Sequence, residues 1–209
     1  MKKTLLKSLA LAAVGSLFVA GSAMALPTLT LTNGTDSITI NDSADSTGTS
    51  GDGAVYYAGY LGSTDVTFAG ASSYPAIGSA DFPKLHLGAG ILSGNDKITF
   101  TLTDSWSTLS PSITGWITEF GGAGSGTVSL NATLNGTPIA DFSNFGTEQI
   151  SSYVPSAGSY DFVLTGTIQG AGTSFDSNVA PVPEPATMLL LGTGLVGIAG
   201  LRRRKAKKA

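Results

Sequence analysis

The sequence predicts an all-β protein: an antiparallel β-sandwich or jelly-roll-like body, with an N-terminal signal helix and a C-terminal transmembrane helix at its ends. Three observations predict the body. Apolar and polar residues alternate with period two along several short segments, Asn-Gly and other Gly-rich breaks separate those segments, and no ten-residue stretch of the interior repeats with helical period. Composition agrees. Ser, Thr and Gly are abundant, while the Lys and Glu that cover exposed helix faces are scarce.

Taken in order, the first two strands are Leu29-Thr30-Leu31-Thr32 and Ser37-Ile38-Thr39-Ile40, joined at Asn33-Gly34. Asn-Gly suits a type I′ turn because both residues tolerate positive φ, and a two-residue loop sets Leu29 opposite Ile38. Val55 to Leu61 and Asp65 to Phe68 are shorter candidates. Lys97 to Thr103 alternates cleanly, turning Ile98, Phe100 and Leu102 inward, and in Ile113 to Phe120 the side chains of Trp116 and Phe120 share a face. Val128, Leu130, Ala132 and Leu134 share another, before a second Asn135-Gly136 turn and the Ile139 segment. Tyr160, Phe162, Leu164 and Ile168 line the last strand. Seven to nine such strands without a fixed repeat fit a sandwich better than a solenoid. Asn41 to Gly53 and Gly121 to Gly126 read as loops. The division is then a signal peptide over 1–25, a β body over 26–169, a Ser/Gly/Pro-containing linker over 170–181 and a terminal segment over 182–209.

Met1-Lys2-Lys3 with Lys7, the uncharged run Leu9 to Ala20, and Ala23-Met24-Ala25 have the three-part form of a signal peptide. Ala23 and Ala25 supply the small side chains that signal peptidase accepts, with cleavage after Ala25. The formal charge of −3 hides an asymmetry: between the charged ends only Lys84 and Lys97 face thirteen acids, from Asp36 to Asp176. Such a surface repels phosphates and argues against nucleic-acid binding. The chain has no cysteine, which excludes thiol catalysis, disulfides and Cys-ligated zinc.

At the other end, Pro183-Glu184-Pro185 precedes the uncharged stretch Met188 to Leu201 and a basic cluster of Arg202, Arg203, Arg204, Lys205, Lys207 and Lys208. This order resembles the PEP-CTERM family of sorting domains, found in Gram-negative bacteria that make exopolysaccharide, and it covers residues 182–209 but none of the body. The resemblance implies that an intramembrane transpeptidase-like enzyme, exosortase, recognises Pro183, Glu184 and Pro185. The physics is compatible. Two prolines keep the motif extended. A helix over 186–201 spans about 24 Å at 1.5 Å per residue, marginal against a hydrocarbon core of about 30 Å and so suited to a temporary anchor. Arg202, Arg203, Arg204 and Lys205 then hold the C-terminus in the cytoplasm as a stop-transfer cluster, leaving the body outside the inner membrane and later at the cell surface. The Gly192-x-Gly194-x-x-Gly197 pattern inside this stretch lacks the strand, βαβ unit and downstream acid of a dinucleotide site.

No catalytic constellation frames the body. His86 is the only histidine and has no partner nearby in sequence. Asp42, Asp45 and Asp52 share one loop and offer oxygens to calcium, but turn-forming Asp explains them equally, so no metal site and no cofactor is assigned. Thr99, Thr101 and Thr103, like Thr30 and Thr32, fall on one strand face. Such rows resemble ice-binding faces, and terminal domains of this kind carry that label by association, yet Thr is also an ordinary solvent-facing strand residue. The expectation is a non-enzymatic exported surface or matrix protein, partnered by signal peptidase, exosortase, the membrane and exopolysaccharide. The alternatives are a carbohydrate- or calcium-binding module, with Tyr56, Tyr57, Tyr60, Trp106 or Trp116 as stacking candidates, and a secreted hydrolase with two carboxylates facing across a cleft.

Overall fold

A computed structural model describes residues 26–42, 51–156 and 159–184. These fold into twelve strands: β1 (Thr28–Thr32), β2 (Ser37–Asn41), β3 (Ala54–Leu61), β4 (Thr64–Ser72), β5 (Leu85–Ser93), β6 (Ile98–Trp106), β7 (Ile113–Ala123), β8 (Thr127–Leu134), β9 (Thr137–Phe142), β10 (Gly146–Ser151), β11 (Tyr160–Gln169) and β12 (Thr173–Pro183). All pair antiparallel, in two six-stranded sheets ordered β2-β1-β6-β11-β8-β9 and β10-β7-β12-β5-β4-β3. The body is thus all-β and sandwich-like. No helix among the described residues is long and apolar enough to cross a membrane. The expected signal peptide with Ala23 and Ala25, the apolar span 186–201, Pro185 and the Arg202, Arg203, Arg204 and Lys205 cluster lie outside the described residues.

The core follows from the alternation. Ile98, Phe100 and Leu102 of β6, Phe162, Leu164 and Ile168 of β11, and Val128, Leu130, Ala132 and Leu134 of β8 are all buried, facing Leu85, Leu87, Phe120, Phe175 and Val179 of the other sheet. Aromatic rings meet edge to face in this core, two of the pairs across the layers and Trp106–Phe162 within the first sheet. Trp116 of β7 meets Phe162 at 4.7 Å, Trp106 meets Phe162 at 5.0 Å, and Phe100 meets Phe175 at 5.9 Å. Gly166 stands where the Phe175 ring presses on the first sheet, and a Cβ there would collide with the ring.

Three expectations change. The residues 170–181 are no linker: from Thr173 they belong to β12, which lies inside the second sheet, paired with β5 on one side and β7 on the other. Phe175, Ser177 and Val179 alternate inward with polar residues between, a strand pattern masked by its Ser, Asn and Pro content. The Gly121 to Gly126 loop is shorter than expected, because β7 continues to Ala123 against Ser174. The first hairpin also shifts by two. Leu31, not Leu29, faces Ile38, because the Asn33 carboxamide oxygen accepts the amides of Thr35 (2.9 Å) and Asp36 (2.7 Å) and holds a four-residue turn. The even shift preserves the inward face. The second Asn-Gly turn is the two-residue form, with Asn135 at φ 50°, Gly136 at φ 74° and Leu134 opposite Thr137.

Candidate functional site

The outer face of the second sheet gathers the chemistry that the sequence scatters. Strand register sets Tyr56, Gly70, Gly88, Asp176 and Gly121 in one row across β3, β4, β5, β12 and β7. The next row is Ala54, Ser72, His86, Asn178 and Glu119. Period two turns these side chains outward while Ala71, Leu87, Ser177 and Phe120 point in. The first row holds three glycines, and the His86 and Asp176 side chains stand over the middle one, Gly88, 3.4 and 3.3 Å from where a Cβ would sit. Tyr56 lies along Gly70, its Cδ2 3.8 Å from where a Cβ would sit, yet the residue stays 39% exposed. Phe68 covers Gly90 in the row below. Gly121 has open space above it.

His86 does have a partner. Its Nε2 lies 2.7 Å from Asp176 Oδ2 across the β5–β12 ladder, and Asn178 Nδ2 donates to Asp176 Oδ1 at 3.4 Å. Ninety positions separate His86 from Asp176, so only the register of β12 could have revealed the pair. Both side chains are open to solvent, and no hydroxyl bonds the ring.

The stacking candidates divide. Trp116 and Trp106 are buried in the core and offer no stacking surface, a correction that follows from both rings packing on Phe162, Trp116 across the sheets and Trp106 within the first. Tyr56 and Tyr60 are exposed, and Tyr57 is half-buried, its hydroxyl donating to the Tyr60 carbonyl at 2.8 Å.

The first sheet turns a different surface to solvent. Thr39, Thr30, Thr101 and Thr165 form one row, and Thr32, Thr99 and Thr167 another, so the threonine rows of separate strands come into register. Several hydroxyls are taken by neighbours: Thr30 bonds Thr39 at 3.1 Å and Thr167 bonds Ser129 at 2.7 Å.

Of the aspartates weighed as calcium ligands, Asp42 and Asp52 are both engaged by backbone amides. Asp45 lies outside the described residues. Asp42 is buried and accepts the Gly51 and Gly53 amides at 3.1 and 2.9 Å, and Asp52 accepts the Ala54 amide, so both act as turn ties. No group of three His, Cys, Asp or Glu among the described residues is placed to hold a metal. Asp42 instead sits near Asp104 of β6, which no motif in the sequence singles out. Asp104 is only 4% exposed, its Oδ1 accepts the Ser105 amide at 2.7 Å and its Oδ2 has no partner. Burial pushes this carboxyl up to about 6, the Asp42 charge adding to the rise; the Ser73 hydroxyl beside it and the Ser105 amide oppose it. The Ser73 hydroxyl nonetheless meets only the Tyr74 carbonyl, weakly, at 3.4 Å. These are two carboxylates closed inside the sandwich, not a pair facing across a cleft.

Glu184 and Pro183 complete the picture at the exit of β12. Pro183 pairs opposite Ile113, Thr114 Oγ1 donates to the Val182 carbonyl at 3.1 Å, and the Glu184 amide donates to the Ser112 carbonyl at 2.7 Å. Beyond Val179 the strand is paired with β7 alone, which leaves Pro181 and Pro183 without a ladder donor to lose on the β5 side.

The described part is therefore an all-β sandwich-like body whose last strand runs into the Pro-Glu-Pro segment. Residues 181–205 match the family model of the PEP-CTERM protein-sorting motif, and the body matches no specific family. A motif of this kind implies export, membrane anchoring before processing, and an exosortase as the processing partner. No curated protein matches the chain. Among solved structures, that of TmCBM61 in complex with β-1,4-galactotriose is similar at 9% identity, over 60% of this chain and 92% of that one, with a TM-score of 0.32. The GH26-CBM35 β-(1,4)-mannanase of Podospora anserina is similar at 16% identity, over 64% of this chain and 29% of that one, with a TM-score of 0.25.

Proposed function

We propose that this protein is a non-enzymatic component of the cell surface or extracellular matrix, delivered by an exosortase and associated with exopolysaccharide. The observation that carries the reading is the sorting motif over residues 181–205, continuous with the sandwich through β12. A strongly acidic β body held outside the membrane by a removable tail suits display rather than turnover. The non-enzymatic part is supported by the one acid–base pair on the exposed face, His86 with Asp176, which has no nucleophile bonded to it.

The test is the C-terminal peptide of surface-fraction protein, read by mass spectrometry in cells with and without the exosortase. With the enzyme, the mature protein lacks Arg202 to Lys208; without it, the tail is retained and the protein stays in the membrane. Mature surface protein that still carries Lys208 in the presence of the exosortase overturns the reading.

A further inference from the structure

We propose that the outer face of the second sheet binds a neutral polysaccharide, laid across the strands along the row Tyr56, Gly70, Gly88, Asp176 and Gly121. The inference deepens the matrix reading above and rests on the chain being exported. Five strands at four spacings of about 4.8 Å give the row a length of about 19 Å, room for a short run of sugar rings.

Glycine weakens a strand interior, and a line of glycines across neighbouring strands marks a place where something else lies on the backbone. Covering rings account for two of them: Phe68 fills the space over Gly90 and Tyr56 that over Gly70. The His86 ring and the Asp176 carboxylate stand over Gly88, so its glycine seats that polar pair low on the sheet, and Gly121 is the position of the row left open. A pyranose has an apolar C–H face and a rim of hydroxyls. The exposed Tyr56 ring offers the first a stacking surface at one end of the row. For the second, the row and its neighbour supply acceptors and donors in the open: the Asp176 carboxylate, the His86 ring, the Asn178 carboxamide, Ser72 and Glu119. The His86–Asp176 hydrogen bond, with Asn178 on the other carboxylate oxygen, fixes these groups before any ligand arrives.

Charge selects the class of polysaccharide. Asp176 and Glu119 stand on the face itself, and the body carries two basic residues against thirteen acidic ones. A polyuronate or sulfated chain would be repelled, whereas carboxylates accept hydrogen bonds from neutral sugar hydroxyls.

The experiment is native affinity electrophoresis of the full chain in mild detergent, with gels containing neutral galactan, mannan, glucan or xylan, and alginate as the acidic polymer. The expected result is retardation by at least one neutral polymer and none by alginate. Tyr56→Leu keeps bulk over Gly70 but removes the ring, and should weaken binding at least fivefold at an unchanged melting temperature. Tyr56→Phe keeps the ring and should bind as wild type, while Asp176→Asn should weaken binding with folding intact. Retardation by none of the neutral polymers, equal retardation by alginate, or full binding by Tyr56→Leu each overturns the proposal. Processing of the tail is read separately from the C-terminal peptide. A protein that is processed but binds no glycan defeats this inference alone, and one that binds but keeps Lys208 defeats only the sorting claim.

Discussion

Replacing Asp104 by Asn should raise the stability of the sandwich at neutral pH and leave it nearly unchanged in acid. The carboxyl is 4% exposed, its Oδ2 has no hydrogen-bond partner, and it sits near the buried Asp42. Its folded-state value is raised from 3.8 to about 6. A carboxyl raised in the native state holds its proton more tightly there than in the unfolded chain. Its contribution is therefore favourable below about 3.8 and is lost as pH climbs through about 6. A rise of that size corresponds to about 3 kcal/mol once the group is fully ionised. The carboxamide of the variant keeps the shape without the charge. Urea denaturation of a fragment covering 26–184, in EDTA so that no divalent cation neutralises the pair, gives the difference between variant and wild type at each pH. That difference should grow from near pH 4 to about pH 6.5 by roughly 3 kcal/mol and then level off. A difference that stays flat across this window refutes the argument that Asp104 is buried, poorly satisfied and forced to ionise.

Other outcomes follow from the same packing and pairing. Gly166→Ala drives a methyl into the Phe175 ring, which is itself packed on Phe100 and Phe120, and should cost about 1–3 kcal/mol in urea denaturation. Glu184→Ala should leave the melting temperature unchanged, since its bond to Ser112 uses the backbone amide, yet stop removal of the tail, seen as full-length mass in the membrane fraction. Intact mass of exported protein should place Leu26 at the N-terminus, and retention of residues 1–25 in envelope-purified material would sink the signal-peptide reading.

The alternation in Leu29 to Ile40, Lys97 to Thr103, Val128 to Leu134 and Tyr160 to Ile168 was legible because each strand faces solvent on one side and the core on the other. The strands missed were β5, β10 and β12. In β5, Gly88 and Gly90 stand at the outward positions, so Leu85, Leu87, Ala89 and Ile91 alternate with glycine as well as with polar residues. In β12, Pro181 and Pro183 read as strand breakers, and only the sheet order reveals that β5 no longer pairs there. The Trp side chains were misplaced for a different reason. Exposure of an aromatic depends on which face turns inward, and the partner of Trp116 is Phe162, a residue of a distant strand in the other sheet. The site shared that limit: Tyr56 was visible as a candidate, but its row with Gly88 and Asp176 exists only through pairings of distant segments.

The position of β12 also sets a timetable. A chain exported from its N-terminus delivers β1 to β11 before Thr173–Pro183 emerges, and until then the second sheet is in two pieces, β10-β7 and β5-β4-β3. Nothing local can stand in for the missing strand, because the contacts that join those pieces are long-range. The last residues to complete the sheet, Pro181 to Pro183, are also the first of the matched motif. β7 holds Ala180 to Glu184 against Ile117 and Ser112, the same stretch in which the proposed processing would have to find its motif. If the proposed processing acts on this stretch, a mutation that loosens the end of β12 should hasten tail removal without touching the motif, seen as a larger fraction of tail-less mass.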